Sequence, residues 1–213
     1  MTFEKDRSKS ISRRSFVGNV ALVAAASAIL QARNSPGSRG WLEAAQAAGT
    51  DLVHDTFNGL LAFIVPGPDG YSVSQGVTTS EPGGVGAGVI DVLITTLDGS
   101  TPFLPQFSAT VAAVLNGLAQ VVKPFSPGTF ISPFAALSFA EKAAVFQIMD
   151  ATDSLKPLAG VLPALVAAFC YSEGSAFDPA SRSLTEQPIG WQISNYQGVA
   201  DGRDEFLGYF QNR

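Results

Sequence analysis

Apolar residues recur at the 3.6-residue spacing of an amphipathic helix over most of the chain from Asp51 onward. The first such segment runs from Asp51 to the helix-breaking pair Pro66 and Gly67. The others are VGAGVIDVLITTLDG from Val85, QFSATVAAVLNGLAQVV from Gln106, LSFAEKAAVFQIMD from Leu137, and roughly Leu155 to Tyr171. No segment shows the strict alternation of a half-buried strand. We therefore predict an all-α fold of about five helices in a compact irregular bundle with long Gly-rich and Pro-rich loops.

Local signals refine the helix boundaries. Ser138 and Glu141 have the S-x-x-E spacing of a capping box, which predicts that a helix starts after Ser138. Pro157 suits the first turn of the last helix, because a first-turn residue needs no backbone donor. The segment KPFSPGTFISPF, residues 123–134, is rich in proline and is predicted to be irregular. The polar, Gly-rich residues 67–84 are predicted to form a loop.

The N-terminal segment has the three parts of a secretory signal peptide. A basic start ends at Arg14, an apolar run extends from Val17 to Leu30, and small-residue exits occur at residues 26–28 and 45–47. We predict a signal peptide and exit region over residues 1–47, followed by a single helical domain over residues 48–213.

Within this leader, Ser12, Arg13, Arg14 and Phe16 resemble the S-R-R-x-F-L-K pattern of a twin-arginine export signal. The resemblance implies that the twin-arginine translocase exports the chain. This route carries proteins that have already folded and delivers them to the periplasm, the cell envelope or the outside of the cell. The alternative is an ordinary signal peptide with chance arginines.

Charge is divided unevenly along the chain. Residues 1–40 hold seven basic and two acidic side chains, a net charge of +5, whereas the remainder holds six basic and sixteen acidic, a net charge of -10. An acidic body repels phosphate backbones, so we predict no nucleic-acid partner. The single cysteine, Cys170, lies in an apolar run and is predicted to be a buried, inert thiol.

Groups that would carry catalysis are sparse in the sequence. The segment GGVGAG, residues 83–88, lacks the third glycine of a dinucleotide fingerprint and is interpreted as a flexible loop that enters a helix. His54 is the single histidine, which excludes a two-histidine metal site. A secreted hydrolase using His54 and Asp55 is disfavoured because no G-x-S-x-G motif occurs, and we interpret the two as a surface or capping pair. We predict no catalytic, cofactor-binding or metal-binding residue in this chain.

Several segments, in order, resemble the gluconate 2-dehydrogenase subunit 3 family. TFNGLLAFIVPGPDG followed by GVGAGVIDVLITTLD is similar to the opening of that family, in which a helix ends in an I-P turn and a loop leads to a second helix. LSFAEKAAVFQIMD is similar to its L-S-x-E-E helix, and PIGWQISNYQG resembles its closing G-W-x-x-x-x-Y-P-G element. The similarity spans about residues 52–198.

This resemblance implies a non-catalytic small subunit. In the family, the small subunit binds a large flavoprotein dehydrogenase of the glucose-methanol-choline oxidoreductase kind, helps it mature, and takes it through the twin-arginine pore. The large subunit carries FAD and the active site, and its electrons pass to a cytochrome c subunit or another acceptor. The expected cofactor, FAD, therefore belongs to the partner.

We predict Phe130, Trp191 and Tyr196 as interface anchors, because aromatic side chains in loops are typical binding hot spots. The alternative for each is a core aromatic. The alternative function is a stand-alone secreted helical protein with a binding or structural role, in which the leader exports this chain alone.

Overall fold

The computed structural model describes residues 49–99, 106–124, 128–172, 176–178, 180–181, 183–185 and 187–196. The predicted leader lies outside the described residues, and with it Ser12, Arg13, Arg14 and Phe16. The chain after Tyr196 lies outside them as well.

Helices are the main secondary structure of the described part of the chain, with almost no strand, which confirms the predicted all-α fold. Its helices are α1 (Thr50–Ile64), α2 (Gly70–Gln75), α3 (Ile90–Gly99), α4 (Phe107–Val122), α5 (Phe139–Ala151), α6 (Lys156–Cys170) and α7 (Ile189–Ile193). A short antiparallel pair, β1 (Phe177–Asp178) with β2 (Ser183–Leu184), joins Phe177 to Leu184 and Asp178 to Ser183. Within these residues, none of the helices has the length and apolar character needed to cross a membrane.

The five predicted helices are present, with two short additions and one shifted boundary. Helix α2 lies in a segment predicted as loop, and α7 lies in the C-terminal segment. Helix α3 begins at Ile90 rather than near Val85. Its fully buried side chains are Leu93 and Leu97, whereas Val92 is 51% exposed.

Helices α1 and α4 form the centre of the bundle. Helix α1 packs against α2, α3, α4 and α6, and α4 packs against α1, α3 and α5. Phe57 and Leu60 of α1 and Val111 and Leu115 of α4 are fully buried. Because most of α4 is buried, its apolar surface extends around the helix, as expected for a helix surrounded by others.

Side-chain hydrogen bonds hold the starts of α5 and α4. Ser138 and Glu141 form the predicted capping box at α5, and the bond from the Ser138 N–H holds the pKa of Glu141 below its usual value. Asp98, at the end of α3, accepts a 2.8 Å bond from the backbone N–H of Ser108 in the first turn of α4. This bond therefore also joins the end of α3 to the first turn of α4.

Residues 67–83, which we call the strap, form a loop whose two ends touch. A Cβ added at Gly83 would lie 2.5 Å from the backbone nitrogen of Gly67, so both positions need glycine. Next to this contact, the N–H of Gly84 donates to the carbonyl of Val65 at 2.7 Å. Compact surface loops with adjoining ends are Ω-loops. The sequence GGVGAG predicts a flexible loop. Two of its glycines, Gly83 and Gly84, are instead buried and packed closely against neighbouring backbone.

We predict that Gly83→Ala destabilises the protein by about 1–3 kcal/mol, because the added methyl group must push the two ends of the strap apart. The matched control is Gly70→Ala in α2, where a Cβ meets nothing within 4 Å. Urea unfolding of both variants checks this. Equal midpoints for the two variants would contradict the close packing of Gly67 and Gly83.

Candidate functional site

A buried polar cluster joins α1, α4 and the irregular segment before α5. We define it by four residues that are each less than a tenth exposed: Asp55, Thr56, Asn116 and Ser132. The side-chain carbonyl of Asn116 accepts bonds from the Ser132 hydroxyl at 2.7 Å and from the Phe134 N–H at 3.0 Å. Its amide donates to the Thr56 hydroxyl at 2.9 Å. Asn116 therefore connects α4 to α1 through Thr56 and to the irregular segment through Ser132 and Phe134.

Asp55 contributes the cluster's only acidic side chain. Its Oδ2 accepts the Ser132 N–H at 2.7 Å, and its Oδ1 accepts the Tyr71 hydroxyl at 2.8 Å. The prediction that His54 and Asp55 form a surface or capping pair is wrong for Asp55, which is 9% exposed. Successive helix residues point in different directions, and His54 instead lies 3.7 Å from Asp91.

Tyr71 connects the cluster to Phe130, one of the predicted interface residues. The two rings are stacked with centroids 4.7 Å apart, and Phe130 is half-buried. Burial, together with the bond to Asp55, raises the pKa of Tyr71 to about 12. The next residue, Ile131, is 55% exposed, so the cluster holds the backbone of an apolar loop at the surface.

A lysine on α5 is fully buried between α1 and α2. The ammonium of Lys142 donates to the Gln75 side-chain carbonyl at 2.9 Å and to the Gly59 backbone carbonyl at 3.2 Å, and it lies 5.7 Å from the centre of the Phe134 ring. Gln75 in turn donates to the carbonyl of Ala62 at 2.7 Å. Burial lowers the pKa of Lys142 to about 8, against the attraction of Asp69 and Asp55.

The other two predicted interface residues, Trp191 and Tyr196, pack against each other edge to face with centroids 5.1 Å apart. A Cβ at Gly190 would lie 2.8 Å from the backbone of Tyr171, so α7 sits directly on the end of α6. Tyr171 is 50% exposed and Tyr196 is 41% exposed. We call Tyr171, Trp191 and Tyr196 the C-terminal aromatic surface. Phe130 is not part of it, because its ring partner is Tyr71.

A half-open cavity of about 260 Å³ lies between α1, α3 and α4. Its wall includes His54, Asp98 and Ser108. Both oxygens of Asp98 accept bonds from Ser108, one from its N–H and one from its hydroxyl. These three residues therefore do not form a chain from carboxylate through imidazole to hydroxyl, which a hydrolytic triad requires.

Among the residues that the structure describes, no group of three or more His, Cys, Asp and Glu side chains could hold a metal ion. Cys170 is buried, as predicted, and burial raises the pKa of its thiol to about 11. Searches of protein-family models, of curated proteins and of solved structures found no match to this chain.

We predict that Asp55→Asn lowers the pKa of Tyr71 from about 12 toward its usual value, because the hydrogen bond to a carboxylate and its negative charge are lost while burial remains. Stability should fall by about 1–3 kcal/mol. Absorbance titration of tyrosinate and urea unfolding measure the two effects. Asp150→Asn, at an exposed position on α5, is the control and should change neither. If the tyrosine with the highest pKa titrates at the same pH in Asp55→Asn as in the wild type, the hydrogen bond between Tyr71 and Asp55 is contradicted.

We predict that wild-type stability, measured relative to Lys142→Met, rises with pH between about 8 and 10.5. In that window the unfolded chain binds a proton at residue 142 that the folded chain has released, so the penalty of burying the charge disappears. The rise should total about 3 kcal/mol. Tyr71 and Cys170 have raised pKa values and therefore lower the stability as the pH rises. Both contributions cancel when the stability of Lys142→Met is subtracted from that of the wild type at each pH. Urea unfolding across the window tests this, with Lys156→Met at an exposed site as the control. A difference that stays constant with pH contradicts the prediction.

Proposed function

We propose that this chain is a non-catalytic small subunit that binds the FAD-carrying large subunit of a dehydrogenase, helps it mature and exports it by the twin-arginine route. The observation that carries the proposal is the C-terminal aromatic surface, two of whose three residues lie in the segment resembling the closing element of the gluconate 2-dehydrogenase subunit 3 family. Trp191 and Tyr196 occupy the G-W and Y positions of that element.

The composition of this surface suits a protein partner. Tyrosine and tryptophan combine a large apolar face with a polar group, and they are enriched among the residues that dominate binding free energies. The edge-to-face contact of Trp191 with Tyr196 fixes both rings before any partner arrives. Binding then loses less side-chain entropy than it would with freely rotating rings.

The proposal divides the work between two chains. The companion binds FAD and oxidises the substrate, and its electrons pass to a cytochrome c or another acceptor. This chain supplies a folded helical body and the export signal. Arg13 and Arg14 would then be read by the translocase on behalf of the whole complex, since this route accepts folded cargo.

We predict that replacing both Trp191 and Tyr196 by Ala reduces the flavoprotein that co-purifies with tagged protein by more than about tenfold, since two adjacent hot-spot aromatics are removed. Flavin absorbance and mass spectrometry of the purified material give the measurement. Circular dichroism shows whether the variant is still helical.

The control for this experiment is Val121→Ala, which removes an apolar side chain that is 72% exposed on α4. It should retain the flavoprotein at the wild-type level. A wild-type preparation that is a monodisperse monomer without flavoprotein would contradict the proposed function and favour a stand-alone secreted protein. Loss of the flavoprotein in Val121→Ala but not in the double variant would contradict the assignment of the surface.

A further inference from the structure

The strap is attached to the rest of the protein almost entirely by polar contacts. None of its residues belongs to the hydrophobic core, which resumes at Val65 on one side and at Val85 on the other. The buried side chains of α2 are Ser72 and Gln75, while Val73 points outward and is 61% exposed. An element without apolar burial is among the first to open locally, because the net free energy of each hydrogen bond is small.

Away from the contact of Gly67 with Gly83, the strap is attached to the rest of the protein through Tyr71 and Gln75. The Tyr71 hydroxyl bonds to Asp55 at 2.8 Å and interacts with the Asn58 side chain, and its ring stacks on Phe130. The Gln75 side chain bridges Ala62 and Lys142. The side-chain hydrogen bonds of Asp69 and Ser72 are internal to the strap. Asp69 accepts bonds from the N–H groups of Tyr71 and Ser72. A helix of six residues does not persist in water without packing, so the amides of α2 lose their protection when the attachments break.

Beneath the strap lies the buried ammonium of Lys142. Gln75, which is 3% exposed, is the strap residue that bonds to it. Lys142 itself is fully buried, although a charged amine is strongly hydrated in water. Closing the strap therefore removes a lysine from solvent, and opening it returns the amine to water.

We propose that the strap opens as one unit about the contact of Gly67 with Gly83, that this opening admits water to Lys142, and that falling pH favours the open form because the hydrated amine holds its proton. The inference concerns this chain alone and does not depend on the proposed partner. Opening would also separate Tyr71 from Phe130, so it would change the apolar loop at Phe130 and Ile131.

The charges around Lys142 set the direction of the pH effect. Asp55 on α1 and Asp69 at the start of α2 attract its proton, while burial opposes it more strongly and holds the pKa at about 8. Helix α4 has no charged residue, and the only one in α6 is Lys156 at its first position. A hydrated lysine has its usual pKa near 10.5. The open form therefore binds more protons between these values, and raising the pH closes the strap.

Hydrogen exchange tests the opening directly. The reporter amides are those of Val73, Gly76 and Val77, which donate to Asp69, Val73 and Ser72 within the strap. After correction for intrinsic exchange rates, their opening constant should fall about tenfold between pH 7 and pH 9 in the wild type. In Lys142→Met it should not change with pH. Amides in the middle of α4 serve as the reference for global unfolding.

A second measurement does not require a Lys142 variant. Acetylation of native protein by an N-hydroxysuccinimide ester, followed by peptide mass spectrometry, reports the access of reagent to each amine. Lys142 should react much more slowly than the exposed Lys156, and Gln75→Ala should accelerate Lys142 about tenfold by removing the bridge to Ala62. The matched control is Gln147→Ala, at an exposed position on α5, which should leave the rate unchanged.

Three results would overturn the proposal. The first is that the strap amides exchange as slowly as those of α4, which would mean that the strap opens only with global unfolding. Another is an opening constant with the same pH dependence in the wild type and in Lys142→Met. The third is a Lys142 acetylation rate that Gln75→Ala leaves unaltered.

Discussion

The structure depends on one constraint, namely that the polar groups buried between α1 and α4 must all find partners. Asn116 meets this constraint by accepting from Ser132 and Phe134 and by donating to Thr56, and Asp55 meets it by accepting the Ser132 N–H. Among the described residues, no buried side-chain nitrogen or oxygen lacks a partner. Because an unsatisfied buried group costs about 1–3 kcal/mol, the cluster stabilises the observed backbone at Ser132 and Phe134.

This constraint extends to the surface in two directions. Through Ser132 it fixes the backbone beside the exposed Ile131, and through Asp55 it holds Tyr71 and so one attachment of the strap. The strap is also attached through Gln75, which with the Gly59 carbonyl accepts hydrogen bonds from the buried ammonium of Lys142. The apolar core specifies where the long helices lie, whereas these polar bonds specify where the loops lie. Loops placed in this way can present side chains to a partner or open locally without disturbing the core.

The long helices could be predicted from the sequence because each has a periodic apolar face and recognisable ends, as the capping box of Ser138 and Glu141 illustrates. Helix α2 could not, because its buried side chains are polar and a short polar segment has no hydrophobic period. The burial of Lys142 and of Asp55 was missed for a related reason. Charged residues are usually exposed, and their partners, such as Gln75 and Ser132, are more than sixty positions away in the chain.

The proposed function requires that the leader exports a folded complex rather than this chain alone. The most direct measurement replaces Arg13 and Arg14 by Lys in the producing cell and assays flavin-containing dehydrogenase in the cytoplasmic and exported fractions. We predict that the companion accumulates, folded and flavin-loaded, in the cytoplasm together with this chain. Normal export of every flavoprotein dehydrogenase, while this chain alone is retained, would contradict it.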